Sequence, residues 1–133
     1  MDLIELLAEA YGGKILKTEQ TGGNTFVTTL LLPIKESQKC SIYLKQNGDG
    51  HIKIGISKNP KQREGTLQSQ ESSIKLLYSR EFPDRQFAVQ LEKTLHEIYK
   101  YWRIRGEWFN LNQNQVDTCI NYITHLKIER ADD

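Results

Sequence analysis

Four polar side chains, spread along a chain of 133 residues, could together hydrolyse a phosphodiester bond if the fold gathers them. They are a phenol, an amine, a guanidinium and a carboxylate, carried by Tyr43, Lys53, Arg63 and Glu92. A phenol beside a cation can accept a proton from water, because the cation favours the ionised form. A guanidinium can bind a phosphate in two directions and neutralise charge gained in the transition state. A carboxylate can hold a divalent cation.

The phenol and the amine lie in two segments that alternate apolar and polar side chains, residues 40–45 and 52–57. Asn47-Gly48-Asp49-Gly50 stands between them, so the pattern predicts a β-hairpin. A three-residue loop, residues 47–49, with Gly50 at positive φ would keep the apolar side chains of both strands on one face. That register places Tyr43 directly opposite Lys53. A surface Tyr–Lys pair without catalytic meaning is the alternative, and the hairpin alone favours it.

The guanidinium belongs to a predicted short helix that runs to about Gln68. Asn59 supplies an N-cap, and Pro60 suits the first helical position. Arg63 lies one turn before Leu67, so we expect it to lean toward the sheet. An ordinary helix-surface arginine is an equally good interpretation.

The carboxylate belongs to the longest predicted helix, which Pro83-Asp84 opens. The apolar stripe of this helix consists of Phe87, Leu91, Leu95, Ile98 and Trp102. Glu92 flanks that stripe, which is a poor place for an unpaired carboxylate. A bound divalent cation would explain it, and so would a salt bridge to Arg63 or Lys53. His96, one turn later on the same face, could contact substrate or metal-bound water, or it could be a satisfied structural histidine.

The remaining elements predict an α+β fold. A third core strand spans Ile74–Phe82, Trp108-Phe109 is a brief extended piece, and a closing helix spans Val116–Leu126. We therefore expect a small antiparallel sheet of three core strands, flanked by helices, in residues 39–133. Residues 1–38 form a predicted N-terminal appendage, a helix followed by a hairpin with strands at 14–19 and 25–32.

Composition narrows the function classes. The net charge of +1 gives no overall basic field, which argues against a tight nonspecific nucleic-acid binder. Local clusters remain, each of which could instead be a solvated surface: Lys58, Lys61 and Arg63, then Lys93, Lys100, Arg103 and Arg105. The longest apolar run, residues 30–32, is far too short to cross a bilayer. The N-terminus lacks the positive region of a signal peptide, so a cytoplasmic location is expected.

Taken together, the motifs resemble the GIY-YIG nuclease superfamily. Ser41-Ile42-Tyr43 and Lys53-Ile54-Gly55 resemble its two name-giving motifs, and Arg63 and Glu92 follow in the same order. The chain is most similar to the phage and bacterial branch related to the meiotically up-regulated gene domain. That branch has Lys-Ile-Gly as its second motif, then a Glu-x-x-Leu-His element and a Gly-Glu-Trp-Phe segment. The chain has Glu92 to His96 and Gly106 to Phe109 at these places, and the resemblance covers roughly residues 39–112.

The resemblance implies a DNA endonuclease with one divalent cation, Mg²⁺ or Mn²⁺. Tyr43 would activate water, Glu92 would ligate the metal, and Arg63 would stabilise the pentacoordinate phosphate. Lys53 would occupy the place of the family's second tyrosine, as it does in this branch, and Ser41 replaces the usual first glycine. Asn110 falls near a polar position of the late segment. Lys58, Lys61, Arg103 and Arg105 would then contact DNA.

Two function classes remain open from the sequence. One is an active, metal-dependent endonuclease, in a phage or mobile-element setting. The other is a nucleic-acid or protein binding module that keeps the fold and has lost useful catalysis. The family resemblance does not extend to residues 1–38, which could contact DNA or form a homodimer.

Overall fold

The computed structural model of the protein describes residues 5, 7–9, 12–20, 26–32, 38–59 and 74–130. The expected α+β fold is confirmed: two sheets combine with helices. In chain order the elements are β1 (Lys14–Gln20), β2 (Phe26–Leu32), β3 (Cys40–Gln46), β4 (Ile52–Ser57), β5 (Lys75–Phe82), α1 (Arg85–Ile98), a 3₁₀ turn (Lys100–Trp102), β6 (Arg103–Arg105), β7 (Trp108–Phe109), α2 (Gln113–Thr124) and β8 (Leu126–Arg130).

The larger sheet has five antiparallel strands in the order β5-β3-β4-β7-β6. It contains the three predicted core strands, and two short strands from the segment around Trp108 extend it at the β4 side. Ile42 and Leu44 of β3 share a core with Ile52 and Ile54 of β4. The opposite face carries the polar side chains, because successive residues of a strand point to opposite faces.

The predicted pairing of Tyr43 with Lys53 is wrong. Tyr43 lies opposite Gly55, and Lys53 lies opposite Lys45. The register is therefore displaced by two residues from the expected one. A displacement by an even number leaves the faces unchanged, so Tyr43 and Lys53 still share the polar face, as diagonal neighbours.

The hairpin loop explains the displacement. It has three residues, as expected, but they are residues 48–50, and Asn47 and His51 close it. The Asn47 N–H donates to the His51 carbonyl at 3.1 Å, and the Asn47 side chain accepts the backbone N–H groups of Asp49 and His51. Gly50, at φ 81°, is the last residue of the loop, where a left-handed residue is required.

Helix α1 crosses the core face of the larger sheet. The Asp84 carboxylate caps it by accepting the Gln86 N–H at 2.9 Å, which confirms the predicted start. Phe87, Leu91 and Leu95 are fully buried against the isoleucines of β3 and β4. Trp102 does not continue this stripe as predicted, because α1 ends at Ile98 and Trp102 lies in the 3₁₀ turn, 43% exposed.

The smaller sheet has the order β1-β2-β8. The predicted N-terminal hairpin is present as β1 and β2, but β8 was not expected: it pairs with β2 in parallel. The closing helix α2 begins at Gln113, because a capping box between Asn112 and Gln115 starts it before the predicted position, and it ends at Thr124. Leu7 and Leu30 belong to the same core as α1, so the N-terminal segment packs onto the rest. The proposed division at residue 38 stays a prediction.

One predicted element is not covered by the described residues. The predicted short helix with Lys61 and Arg63 lies outside the described residues. Within the described ranges, no helix is long and apolar enough to span a membrane.

Candidate active site

The centre of the candidate site is the contact between Tyr43 and Gly55 on the polar face of the larger sheet. A Cβ atom at position 55 would lie only 2.6 Å from the Tyr43 hydroxyl oxygen and 2.7 Å from its Cζ. The ring therefore lies across the glycine of the opposite strand, and the Tyr43 side chain is fully buried. The missing side chain of Gly55 leaves the space that the phenol occupies.

Glu107 joins this contact from the turn between β6 and β7. Its Oε2 atom would lie 3.1 Å from a Cβ atom at Gly55 and is 3.8 Å from the Lys53 Nζ atom. The backbone holds it there, because the Ile54 N–H donates to the Glu107 carbonyl at 3.1 Å. The phenol of Tyr43, the carboxylate of Glu107 and the ammonium of Lys53 are thereby gathered around one glycine.

A second lysine lies against the phenol. Lys45 follows Tyr43 by two residues on β3, and its Nζ atom is 4.9 Å from the centroid of the Tyr43 ring. The Lys45 side chain is fully buried, and Lys45 lies opposite Lys53 in the hairpin. Lys45 therefore lies over the Tyr43 ring, and Lys53 shares the same face of the hairpin as the diagonal neighbour of Tyr43.

Glu92 of α1 provides a second carboxylate, which interacts electrostatically with Glu107 and Lys53. Burial raises the pKa of Glu92 to about 7; the Glu107 carboxylate adds to this rise, and the Lys53 ammonium opposes it. Among the residues that the structure describes, the buried Oε2 atom of Glu92 has no hydrogen-bond partner. A half-buried carboxylate beside another carboxylate is the environment in which a cation is favourable.

His96 fixes α1 against β4. Its Nε2 atom is 2.8 Å from the Ile54 carbonyl oxygen, so this nitrogen carries the proton and donates it. Its ring packs on Phe109, with the centroids 5.0 Å apart. Burial lowers the pKa of His96, although the bond to the Ile54 carbonyl raises it. Its visible role is to position the helix that carries Glu92 one turn earlier.

Cations predicted to contact DNA lie on two sides of this site. Lys58 is exposed immediately after β4, and Arg103 and Arg105 are exposed on β6 at the other side of Lys53. A strand of six residues, the length of β4, spans roughly 17–20 Å. Asn110 is exposed, and its backbone N–H donates to the Trp102 carbonyl at 2.8 Å. Lys61 and Arg63 are not among the described residues.

Comparison with known proteins assigns the family. Residues 40–124, more than half of the chain, match the T5orf172 domain. The chain belongs to the T5orf172 domain family. This is a phage-associated domain related to GIY-YIG and HNH-like nucleases, and its match includes the elements that carry the candidate site. No curated protein and no solved structure matches the chain.

Within the T5orf172 domain, the sequence reasoning missed Glu107, Lys45 and the role of Gly55. Glu107 was visible in the Gly-Glu-Trp-Phe segment, but its approach to Lys53 depends on the pairing of β7 with β4. Lys45 had a local signal, since a residue two positions after Tyr43 on a strand shares its face. Gly55 was visible only as part of a motif, until the register placed it opposite the ring.

The carboxylates of Glu92 and Glu107 in the T5orf172 domain suit a hard divalent cation that takes few of its ligands from the protein. Mg²⁺ keeps several waters and commonly uses only one or two protein carboxylates together with substrate phosphate. Glu92 provides one carboxylate, and Glu107 provides a second within its electrostatic range. Among the described residues, no group of three or more His, Cys, Asp or Glu side chains could hold a metal by itself. This donor set favours a metal held jointly with a phosphate.

Proposed function

We propose that the protein is a metal-dependent DNA endonuclease that hydrolyses phosphodiester bonds. The observation that carries the proposal is the convergence of Tyr43, Lys53 and Glu107 at Gly55. The Glu92 carboxylate, whose Oε2 atom has no hydrogen-bond partner among the described residues, interacts electrostatically with Glu107 and Lys53. A phenol that shares its sheet face with two ammonium groups, beside a carboxylate pair suited to Mg²⁺, has the chemistry of water activation at a phosphate.

In the proposed reaction, Tyr43 takes a proton from the attacking water. Lys45 and Lys53 favour the charged form of the phenol, so a larger fraction of Tyr43 would be ionised and able to accept the proton near neutral pH than for an isolated tyrosine. Lys53 also neutralises negative charge at the phosphate, and Glu107 orients its ammonium group. Arg63, by the family resemblance, would stabilise the charge that the phosphate gains.

Glu92 would hold Mg²⁺ or Mn²⁺, and Glu107, whose carboxylate acts electrostatically on Glu92, is the second candidate ligand. When bound, the cation would stabilise negative charge on the phosphate oxygens and the leaving group. The same cation would offset the repulsion between the two carboxylates. His96 would keep Glu92 in place by anchoring α1 to β4.

The alternative is a binding module with this fold and no useful catalysis. Ionisation of a half-buried carboxylate costs stability, and the resulting negative charge repels DNA phosphates. A protein that only binds DNA therefore gains nothing from such a group. The raised pKa of Glu92 beside Glu107 therefore favours the enzyme.

Nicking of supercoiled plasmid in Mg²⁺ or Mn²⁺ tests the proposal. We expect conversion to open-circular DNA, abolition by EDTA, and a loss of ~10²-fold or more in Tyr43→Phe, which keeps the ring but removes the base. Glu92→Gln should be similarly impaired. The matched control is Glu97→Gln, an exposed glutamate on the same helix.

The control separates a site effect from a general charge effect. Glu97 forms a surface salt bridge with Lys100 at 2.7 Å, so its loss should leave cleavage within about twofold. Equal cleavage by wild type, Tyr43→Phe and Glu92→Gln would assign the activity to a contaminant or another site. Folded protein with no metal-dependent cleavage of any DNA would favour the binding module.

A further inference from the structure

A cleft opens between the tip of the β3–β4 hairpin and the β6–β7 pair. Its volume is about 230 Å³, and its lining consists of Asn47, Asp49, His51, Ile104, Arg105 and Trp108. Pockets for drug-sized ligands have volumes of roughly 300–1,000 Å³. The cleft is therefore of a size for one small ring system and not for an extended ligand.

The lining combines an aromatic face with polar groups at its edge. The half-buried indole of Trp108 supplies the face, and Ile104 adds apolar surface. The polar groups are the Asn47 amide nitrogen, since the Asn47 oxygen already accepts two backbone N–H groups, and the Asp49 carboxylate. Arg105 is exposed at the same cleft and provides a cation. An unpaired nucleobase has the complementary features: a flat ring that stacks, a polar edge and an attached phosphate.

The segment immediately before Ile104 in the chain has the same character. Tyr101 is 83% exposed and Trp102 is 43% exposed, with their ring centroids 6.4 Å apart. Lys100 and Arg103 are exposed among these aromatics. Exposed aromatic rings interleaved with basic side chains are the recurrent surface for single-stranded nucleic acid, in which bases stack and phosphates meet cations.

Trp108 connects this surface to the candidate active site. It pairs with Lys53 across β4 and β7, and the Lys53 Nζ atom is 5.9 Å from the centroid of the indole ring. A base stacked on the cleft side of Trp108 would thus place its neighbouring phosphate near Lys53. A fully stacked duplex cannot offer a base to the cleft, because its bases are covered by their neighbours.

We infer that this cleft binds one unpaired base of a DNA strand, next to the phosphodiester bond that is cut. The position of the cut rests on the proposed function, whereas the binding of the unpaired base does not. The natural substrate is then DNA with an unstacked nucleotide, such as a bulge, a flap or a single strand, rather than uninterrupted duplex.

Binding measurements in EDTA test the inference independently of cleavage. The probes are a fluorescein-labelled blunt duplex and the same duplex with one unpaired thymidine, compared by anisotropy. Stacking of one base on an aromatic side chain is worth about fivefold or more in affinity, so the bulged duplex should bind at least about fivefold more tightly. In Trp102→Phe, Trp108 is the sole tryptophan, and the bulged duplex should quench its fluorescence more than the blunt duplex does.

A matched pair of variants assigns the preference to the cleft. Ile104→Glu places a carboxylate at the cleft, and Leu77→Glu makes the same change at a similarly exposed residue on β5, the opposite edge of the sheet. Both positions are at the surface, at 45% and 38% exposure, so both variants should fold, which circular dichroism and thermal unfolding check. Ile104→Glu should abolish the preference for the bulged duplex, and Leu77→Glu should keep it.

The outcomes separate this inference from the proposed function. Equal affinity for the two duplexes, or an equal effect of the two variants, would overturn the cleft assignment even if plasmid is cleaved. A preference for the unpaired nucleotide that depends on Ile104, without cleavage under any metal condition, would support the cleft and overturn the nuclease. Preference combined with cleavage beside the unpaired thymidine would support both.

Discussion

Adding one methyl group at Gly55 should disable the site while leaving the fold largely intact. The new Cβ atom would lie 2.6 Å from the Tyr43 hydroxyl oxygen, and ordinary contact begins at 3.4 Å. The phenol must therefore retreat by about 0.8 Å, or β3 and β4 must separate. Retreat is restricted because the Tyr43 ring is fully buried beneath Lys45.

The expected loss of stability is modest. Overpacking of a well-filled region costs typically ~1–3 kcal/mol. Replacing a strand glycine by alanine offsets about 0.5–1 kcal/mol of that cost, because the unfolded chain loses freedom. The free energy of unfolding of Gly55→Ala should therefore fall by about 1–2 kcal/mol, measured by urea titration. The rate should fall by ~10²-fold, since a displacement near 1 Å of a catalytic group has an effect of that order.

Two comparisons isolate the clash. Gly48→Ala adds the same methyl group at an exposed loop residue whose φ is not positive, and it should change stability by no more than about 0.5 kcal/mol. In a Tyr43→Ala background the ring is gone, so Gly55→Ala should become neutral or slightly stabilising. Full stability and full plasmid cleavage in Gly55→Ala would refute the packing of the phenol on this glycine.

Three further predictions concern neighbouring groups. The pKa of Glu92 is raised above its ordinary value of 4.5 to about 7, so the folded state loses stability as pH rises through that window and Glu92 ionises. In EDTA, Glu92→Gln should therefore raise the melting temperature at pH 8, where Glu92 is charged, but not at pH 4, where it is protonated. Lys53→Met should shift the ascending limb of the cleavage pH profile, which reports ionisation of the base, to higher pH; an unchanged profile would remove Lys53 from the activation of Tyr43. His96→Phe should lower the free energy of unfolding by about 1–3 kcal/mol, because the buried Ile54 carbonyl loses its donor. An unchanged free energy of unfolding would refute the anchoring role of this hydrogen bond.

Local pattern was enough to predict the hairpin and the polar face of the site. A period of two places Tyr43 and Lys53 on one side in either register, so the error of two residues did not change which side chains share a face. The register itself depended on where the left-handed glycine falls in the loop. The Asn47 side chain fixes that position by accepting two backbone N–H groups. The alternation of apolar and polar residues carries no information about this contact.

Features that arise from distant strand pairing were not predictable in the same way. Strand β8 begins at Leu126, a residue that the helical pattern of the sequence assigns to the predicted closing helix. Its partner is β2, about a hundred residues earlier, and parallel pairing leaves no turn signal in the sequence. Glu107 reaches Lys53 for a similar reason, because its position follows from the pairing of β7 with β4.

Under the proposed function, a divalent cation would complete the charge arrangement of the site. Lys45 and Lys53 share the polar face of the hairpin with the Tyr43 phenol, and the repulsion between Glu107 and Glu92 contributes to the raised pKa of Glu92. In the absence of metal this arrangement weakens the fold at neutral pH, since the ionised pair is disfavoured. In the proposed enzyme, a divalent cation held by Glu92 would offset that repulsion, so the cost of ionising Glu92 would be reversed when the metal binds. Local instability of this kind is expected where selection has acted on a site rather than on the fold.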